Sequence, residues 1–301
     1  LIAGILVGPS VFNLTVETDF LAKTSEIGVI LLMFIAGLDT NIEEIKKNSL
    51  ALMVIASIGV FVPLIGGAAC YFFYFHIDPS DANQILEAIF IGVVLTATSV
   101  SITVEALREM GKLNGRVGSA ILGAAVIDDI IGIIILTVVI SLKDSNVSIS
   151  SVVIKIILFC LFMAVIAFVI DKMKFFINSH KNRRRLSIYV FASCILIAYI
   201  SESFFGVADI TGSYLLGLFM SRLDVKQDIG RKLTVPSYLF FSPIFFASIG
   251  IRTELSGMTM NLFIFSILIL VVAILTKVIG CGLGARICGY TRSESFNIGI
   301  G

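Results

Sequence analysis

Apolar residues in this chain come in long unbroken runs separated by short polar and charged stretches. A helical crossing of a membrane needs about 20 such residues, and a membrane strand about 10 in strict alternation. The runs do not alternate, so they predict helices. Segments A to K follow along the chain. They are A, 1–14, stopping near Pro9; B, 25–38; C, 49–75; D, 84–104; E, 117–142; F, 149–170. G covers 186–206, H 210–221, I 234–251 and J 260–285, and K opens near 295. A, H and I are short, as truncated, tilted or broken helices are. Pro63 in C and Pro243 in I each predict a kink.

Composition narrows the class. Of 301 residues, 57% are hydrophobic and only 14% charged, where a soluble domain runs nearer a quarter charged. An aqueous enzyme and a disordered chain are both excluded, and a polytopic all-α membrane protein remains. Tryptophan is absent, so interfacial anchoring falls to Tyr and Phe. The five cysteines, Cys70, Cys160, Cys194, Cys281 and Cys288, lie in or beside apolar runs without a CxxC, which predicts reduced core residues. Leu1 and Gly301 both fall inside apolar runs, so the chain reads as part of a longer protein.

Charge position says more than net charge, which is +1. One set of loops carries Lys46, Lys47, Arg108, Lys112, Arg116, Lys172, Lys174, Lys181, Arg183, Arg184, Arg185, Arg222, Lys226, Arg231, Lys232, Arg286 and Arg292. The opposite side carries only Lys23, Lys143 and Arg252. That asymmetry places the rich side in the cytoplasm and supports the span count. The run from Lys181 to Arg185 reads as an orientation signal rather than a lipid site.

Two segments recur at one offset. Ile2–Val7 resembles Leu215–Met220, and Gly37–Ile42 resembles Gly250–Leu255, both displaced by 213 residues. A and H are an odd number of spans apart, so the copies cross in opposite directions. Such inverted repeats mark secondary transporters, whose sites lie near the midplane where broken helices meet.

Three ionisable residues, Tyr and Cys aside, lie far from any helix end: Asp128 and Asp129 in E, and Lys277 in J. At 1.5 Å per residue, Asp129 sits about 19 Å past Arg116 and Lys277 about 13 Å before Arg286. Burying each costs at least about 2.5–3.5 kcal/mol, so such residues are functional by default. A bland ion pair fastening E to J accounts for one Asp but strands the other. Neighbouring helix residues point about 100° apart. One carboxylate can therefore pair with Lys277 while the other faces a wet cavity and exchanges a cation for protons. In D, Thr96-Ala97-Thr98-Ser99-Val100-Ser101 interrupts an apolar helix. Beside the Asp pair this stretch is expected to unwind, with Thr96, Thr98 and Ser99 along the ion path, rather than to bond back within an intact helix. Glu202, Asp39, His76 and His180 read as interfacial or solvated groups. There is no P-loop, HExxH or GxSxG, and no cofactor or nucleic-acid partner is expected.

Gly123-Ala124-Ala125-Val126-Ile127-Asp128-Asp129 resembles the signature helix of bacterial monovalent cation–proton antiporters, in the NapA- and GerN-like branch related to the Kef potassium-efflux systems. Leu95–Val100 resembles that family's broken core helix, Ala3–Ser10 its early helix, and Lys277 its tenth-helix lysine. The resemblance implies the inverted-repeat Na⁺/H⁺ antiporter fold with discontinuous core helices, in a homodimeric membrane protein. It implies dimerisation segments at 1–48 and 186–259, core segments at 49–142 and 260–301, and a linker at 143–185. It further implies that Asp129 binds the cation while Asp128 pairs with Lys277 until the ion displaces it. The Kef branch carries Gln where this chain has Asp128, so the Asp favours proton-coupled, electrogenic Na⁺ (or Li⁺) exchange. A K⁺/H⁺ exchanger or Kef-like efflux system, a Na⁺-coupled organic-anion symporter and an intramembrane aspartyl protease are the rival readings. The last is disfavoured because adjacent aspartates cannot face each other.

Overall fold

The computed structural model describes residues 1–113, 115–143, 149–179, 183–253 and 258–301. His180 and Lys181 fall outside the described residues, as do the side chains of Lys143, Arg183 and Arg184. Every regular element among the described residues is helical. Eight helical stretches there are long and apolar enough to cross a membrane, and the chain is a multi-pass membrane protein. It divides into two compact units, one of Leu1–Thr40 with Leu158–Met258 and one of Asn41–Ile157 with Thr259–Gly301. Of the three points at which the chain passes from one unit to the other, one falls inside α8 (Ile149–Ser179).

The first unit holds α1 (Ile2–Val7), α2 (Asp19–Asp39), α9 (Arg183–Phe205), α10 (Asp209–Met220), α11 (Lys226–Pro236) and α12 (Ser242–Ile251). Thr18 starts α2 by accepting from the Leu21 amide. The core of this unit is the contact of α2 with α10, where Leu31, Leu32, Phe34 and Tyr214 are fully buried. Tyr214 satisfies its hydroxyl on Thr40, 3.4 Å away, and Thr40 bonds back to the Ala36 carbonyl.

Glycines let these helices meet backbone to backbone. A Cβ on Gly37 would overlap the Tyr214 carbonyl, and one on Gly217 the Phe34 carbonyl. The pairing of α1 with α12 repeats this: a Cβ on Gly4 would overlap the Ala247 carbonyl, and one on Gly250 the Leu1 carbonyl. Each of these four residues has its counterpart exactly 213 positions away, so the repeat seen in the sequence is a repeat of packing. Alanine gains up to about 1 kcal/mol of helix propensity over glycine. At Gly37 that gain is outweighed by overpacking of about 1–3 kcal/mol. Gly37→Ala is therefore expected to lower the thermal midpoint in detergent. Gly230→Ala, where nothing lies within 4 Å of the new methyl, is expected to hold or raise it. Equal midpoints for the two variants would contradict this packing account.

Segment I differs from its expected bounds. The helix begins at Lys226, so Lys226, Arg231 and Lys232 lie in its opening turns rather than in a loop. Hydropathy misses this stretch because α11 is amphipathic and polar. A π-helical turn, Ser237–Phe241, joins α11 to α12. Pro243 follows it and has no N–H for the preceding turn, and a widened turn absorbs the defect.

The second unit holds α3 (Ile42–Lys47), α4 (Ser49–Tyr74), α5 (Ala82–Thr96), α6 (Val100–Glu109), α7 (Arg116–Lys143), α13 (Met260–Ile287) and α14 (Arg292–Ile300). α4 continues as a helix through Pro63. It packs on α13 along small residues: a Cβ on Gly280 would lie 3.0 Å from the Ile58 carbonyl, and one on Gly284 2.9 Å from the Ile55 Cα. Thr291 and Glu294 form a reciprocal capping box at the start of α14. Arg116 at the start of α7 reaches Glu294 at 3.4 Å and lies 4.4 Å over the Tyr290 ring, tying the Lys/Arg-rich ends of α7 and α14 together. The hydrogen bonds from Thr291 hold the Glu294 carboxyl below its ordinary pKa.

All five cysteines are free thiols. Cys160 departs from the expected core position, because it is exposed on α8. In a membrane protein an apolar run faces lipid as readily as core, so hydrophobicity does not imply burial in protein.

Candidate functional site

The polar stretch in segment D breaks the helix. α5 ends at Thr96, Ala97 is extended (φ −66°, ψ 125°), Ser99 is extended (φ −76°, ψ 94°), and α6 begins at Val100. The hydroxyls explain why this sequence tolerates the break. Thr96 donates to the Val93 carbonyl at 2.7 Å, and Thr98 to the Thr96 carbonyl at 3.3 Å. These local bonds compete with the helical ladder. Both hydroxyls spend their proton on backbone, so their oxygen lone pairs remain available as acceptors. Ser99 caps α6 by position, without a side-chain cap bond.

Asp128 on α7 and Lys277 on α13 form an ion pair, Nζ to Oδ2 2.8 Å. Asp128 lies twelve residues into α7, about 18 Å from its Lys/Arg-rich end. Lys277 lies ten residues before the end of α13, about 15 Å from the same side. Their side chains are 13% and 17% exposed. The second carboxylate oxygen, Oδ1 of Asp128, is buried without a hydrogen-bond partner among the described residues. A buried acceptor left open requires an explanation, and an ion or water is the ordinary one.

A cavity of about 90 Å³ supplies the room, lined by Asp128, Lys277, Thr98, Thr103, Cys281 and the Gly301 end of α14, among others. That is space enough to admit water. Residues at the start of α6 and residues of α14 line it together. The arrangement offers hard oxygen donors around an ionisable pair deep within the spans, and such donors suit hard cations.

The sequence-derived candidates separate into two groups. Asp128, Lys277 and Thr98 line the cavity together. Asp129 is half-buried on the neighbouring face of α7 and is not among the lining residues. Thr96 is buried, its hydroxyl 3.9 Å from the place of a Cβ on Gly132, and Ser99 is exposed at the break. Thr103 and Cys281 are lining residues that sequence reasoning missed. Cys281 follows Lys277 by four residues, a spacing that puts both on one helix face. Thr103 carried no such signal, since its direction depends on how the chain resumes after the break.

Other candidates fall elsewhere. His76 is exposed at the turn after α4, with φ 52°, and Asp39 ends α2. Glu202, read as an interfacial residue, comes together with Glu26 and Asp209 in the first unit, with carboxylate oxygens within 4.8 Å of one another. Lys23 pairs with Glu26 at 3.0 Å beside them.

Comparison with known proteins gives the same direction throughout. The family described as sodium/hydrogen exchanger, transmembrane, matches residues 1–301. A Bacillus cereus protein named "Probable Na(+)/H(+) antiporter GerT" is 38% identical over all of this chain and 78% of its own length. The "Na(+)/H(+)-K(+) antiporter GerN" of the same organism is 34% identical over all of this chain and 76% of its own length. The solved structure of the sodium proton antiporter MjNhaP1 from Methanocaldococcus jannaschii shares the fold, with a TM-score of 0.63 at 15% identity. It covers 99% of this chain and 76% of the solved one. With a whole-chain family match and relatives at this identity, the chain belongs to the transmembrane sodium/hydrogen exchanger family.

Proposed function

We propose that this protein exchanges Na⁺ for H⁺ across the membrane by alternating access, as a homodimer whose core segments move against its dimerisation segments. The observation that carries the reading is the Asp128–Lys277 pair, deep within two membrane-spanning helices and lining a small cavity beside a helix break, with Oδ1 of Asp128 buried and unpartnered among the described residues. Asp129 binds the cation, and protons and cation compete for it. Asp128 is neutralised by Lys277 until an ion arrives and is then released to help hold it. Either ligand reduces the net charge of the site enough for the core to cross, whereas the unloaded site keeps an uncompensated carboxylate that opposes crossing. Transport is therefore coupled exchange rather than leak. The division into two compact units supports 49–142 and 260–301 as core segments and most of 1–48 and 186–259 as dimerisation segments, while it groups 41–48 with the core segments and divides the proposed linker, 143–185, between the units.

The test is sodium-driven proton movement in proteoliposomes of the purified protein. A Na⁺ or Li⁺ gradient should drive it, and its absence with every monovalent cation would refute the reading. A K⁺-exchanging variant of the mechanism has one specific support, the relative named for both Na⁺ and K⁺. Equal or larger fluxes with a K⁺ gradient would favour it.

Cys281 gives a second check on the cavity. A small cationic methanethiosulfonate reagent is expected to inhibit exchange, Na⁺ to slow the inhibition, and Cys281→Ser to abolish it. Undiminished inhibition of Cys281→Ser would place the reactive thiol outside the ion path.

A further inference from the structure

A second cleft, of about 650 Å³, lies within the second unit between the outer ends of α4, α5 and α7. These are the ends away from the Lys/Arg-rich loops. α4 begins just after Lys46 and Lys47, α7 begins at Arg116, and α5 runs back from the far end of α4. Asn83, Leu86, Glu87 and Phe90 recur at three- and four-residue spacing and share one face of α5 along the cleft. That face is graded. Asn83 lies in the first turn, Glu87 about 7.5 Å from the helix start, and Phe90 about 12 Å from it. The hydroxyl of Tyr71, on α4, interacts with the Glu87 carboxylate. Ile140 of α7 adds an apolar wall, and both Phe90 and Ile140 are exposed. Among the described lining residues no Lys, Arg or His answers the charge of Glu87.

The chain spans a membrane, so lipid covers an open cleft between the ends of its spanning helices. The headgroup decides which lipid. A carboxylate repels an anionic headgroup and attracts an ammonium, more strongly at the membrane interface than in bulk water. A primary ammonium has three N–H donors, and the oxygens of Glu87 and Tyr71 are acceptors for them. Asn83, one turn nearer the water, carries two amide donors suited to a phosphate. Leu86, Phe90 and Ile140 provide apolar surface for the acyl chain that follows.

We propose that this cleft is a lipid site selective for a phospholipid with a primary-ammonium headgroup, of the phosphatidylethanolamine kind, with the ammonium held by Glu87 and Tyr71. The site is separate from the Asp128–Lys277 cavity, and the assignment does not depend on which ion the protein exchanges. A hydrogen bond to a charged group corresponds to about tenfold or more in affinity.

The test offers the purified full chain, in neutral detergent, an equal mixture of phosphatidylethanolamine, phosphatidylcholine and phosphatidylglycerol with the same acyl chains. Retained lipid is counted by native mass spectrometry. Wild type should retain phosphatidylethanolamine about tenfold over phosphatidylglycerol, with phosphatidylcholine between them, since it keeps the charge but has no N–H donors. Glu87→Gln keeps the shape and should lose that preference. Glu87→Lys should reverse it in favour of phosphatidylglycerol, a change that a merely structural role for Glu87 does not produce. Glu87 is exposed, so both variants should fold. Soluble ethanolamine, which has the ammonium without the chains, should leave the bound lipid in place. Its displacing the lipid would make this a site for small amines and overturn the lipid assignment. The same lipid order in wild type, Glu87→Gln and Glu87→Lys would overturn it as well. That unchanged order together with a raised KM for Na⁺ in Glu87→Gln would place Glu87 on the path of the ion instead.

Discussion

Asn at position 129 is expected to abolish sodium-dependent proton movement, leaving vesicle fluxes at the background of protein-free membranes. Asn has nearly the shape of Asp but neither holds a negative charge nor binds and releases a proton. The proposed cycle needs both abilities in one group, so no partial activity should remain. Asp129 is half-buried on α7 next to the ion-paired Asp128. Its substitution leaves the Lys277 partner in place, and the protein should therefore fold and melt like wild type. Fluxes measured on such a folded Asp129→Asn protein test the role of the residue rather than the integrity of the chain. Wild-type-like exchange would remove Asp129 from the mechanism.

Lys277→Met is expected to have the second-largest effect, and on two observables. Truncating one member of a buried pair leaves the other charge uncompensated, at a cost of about 3–5 kcal/mol. The side chains here are 13% and 17% exposed, so most of that range applies. Thermal stability should fall accordingly. Replacing both partners, Asp128→Asn with Lys277→Met, should recover much of the loss, because two neutral groups of similar volume leave no stranded charge. The charge moved per cycle should also change in the single variant, since Asp128 no longer has a resident cation to exchange. Unchanged stability together with unchanged charge movement would show that the pair is dispensable.

Much of this was legible in the sequence because the membrane makes polar residues conspicuous. Asp128, Asp129 and Lys277 stood out as charges in apolar runs. The Thr96–Ser101 stretch announced the break that appears at Ala97–Ser99. The 213-residue repeat was visible through glycines, and the structure gives their reason: Gly37 and Gly217, like Gly4 and Gly250, let helix backbones touch. What stayed hidden depends on direction rather than residue type. Thr103 is an unremarkable hydroxyl until the break turns α6 so that it meets Gly301. The opening turns of α11 were hidden because polar amphipathic helices lack the hydropathy signal. Cys160 was misplaced because an apolar surrounding is lipid for some faces and protein for others.

The central claim is that a proton and a cation occupy one carboxylate site in turn. The apparent KM for Na⁺ as a function of pH, in proteoliposomes with equal pH on both sides, tests it most directly. Competition predicts that the KM rises in proportion to proton concentration on the acid side, about tenfold per pH unit, while the maximal rate at saturating Na⁺ is restored. A KM for Na⁺ that stays constant while the maximal rate falls with acidification would mean separate sites, and would contradict the account.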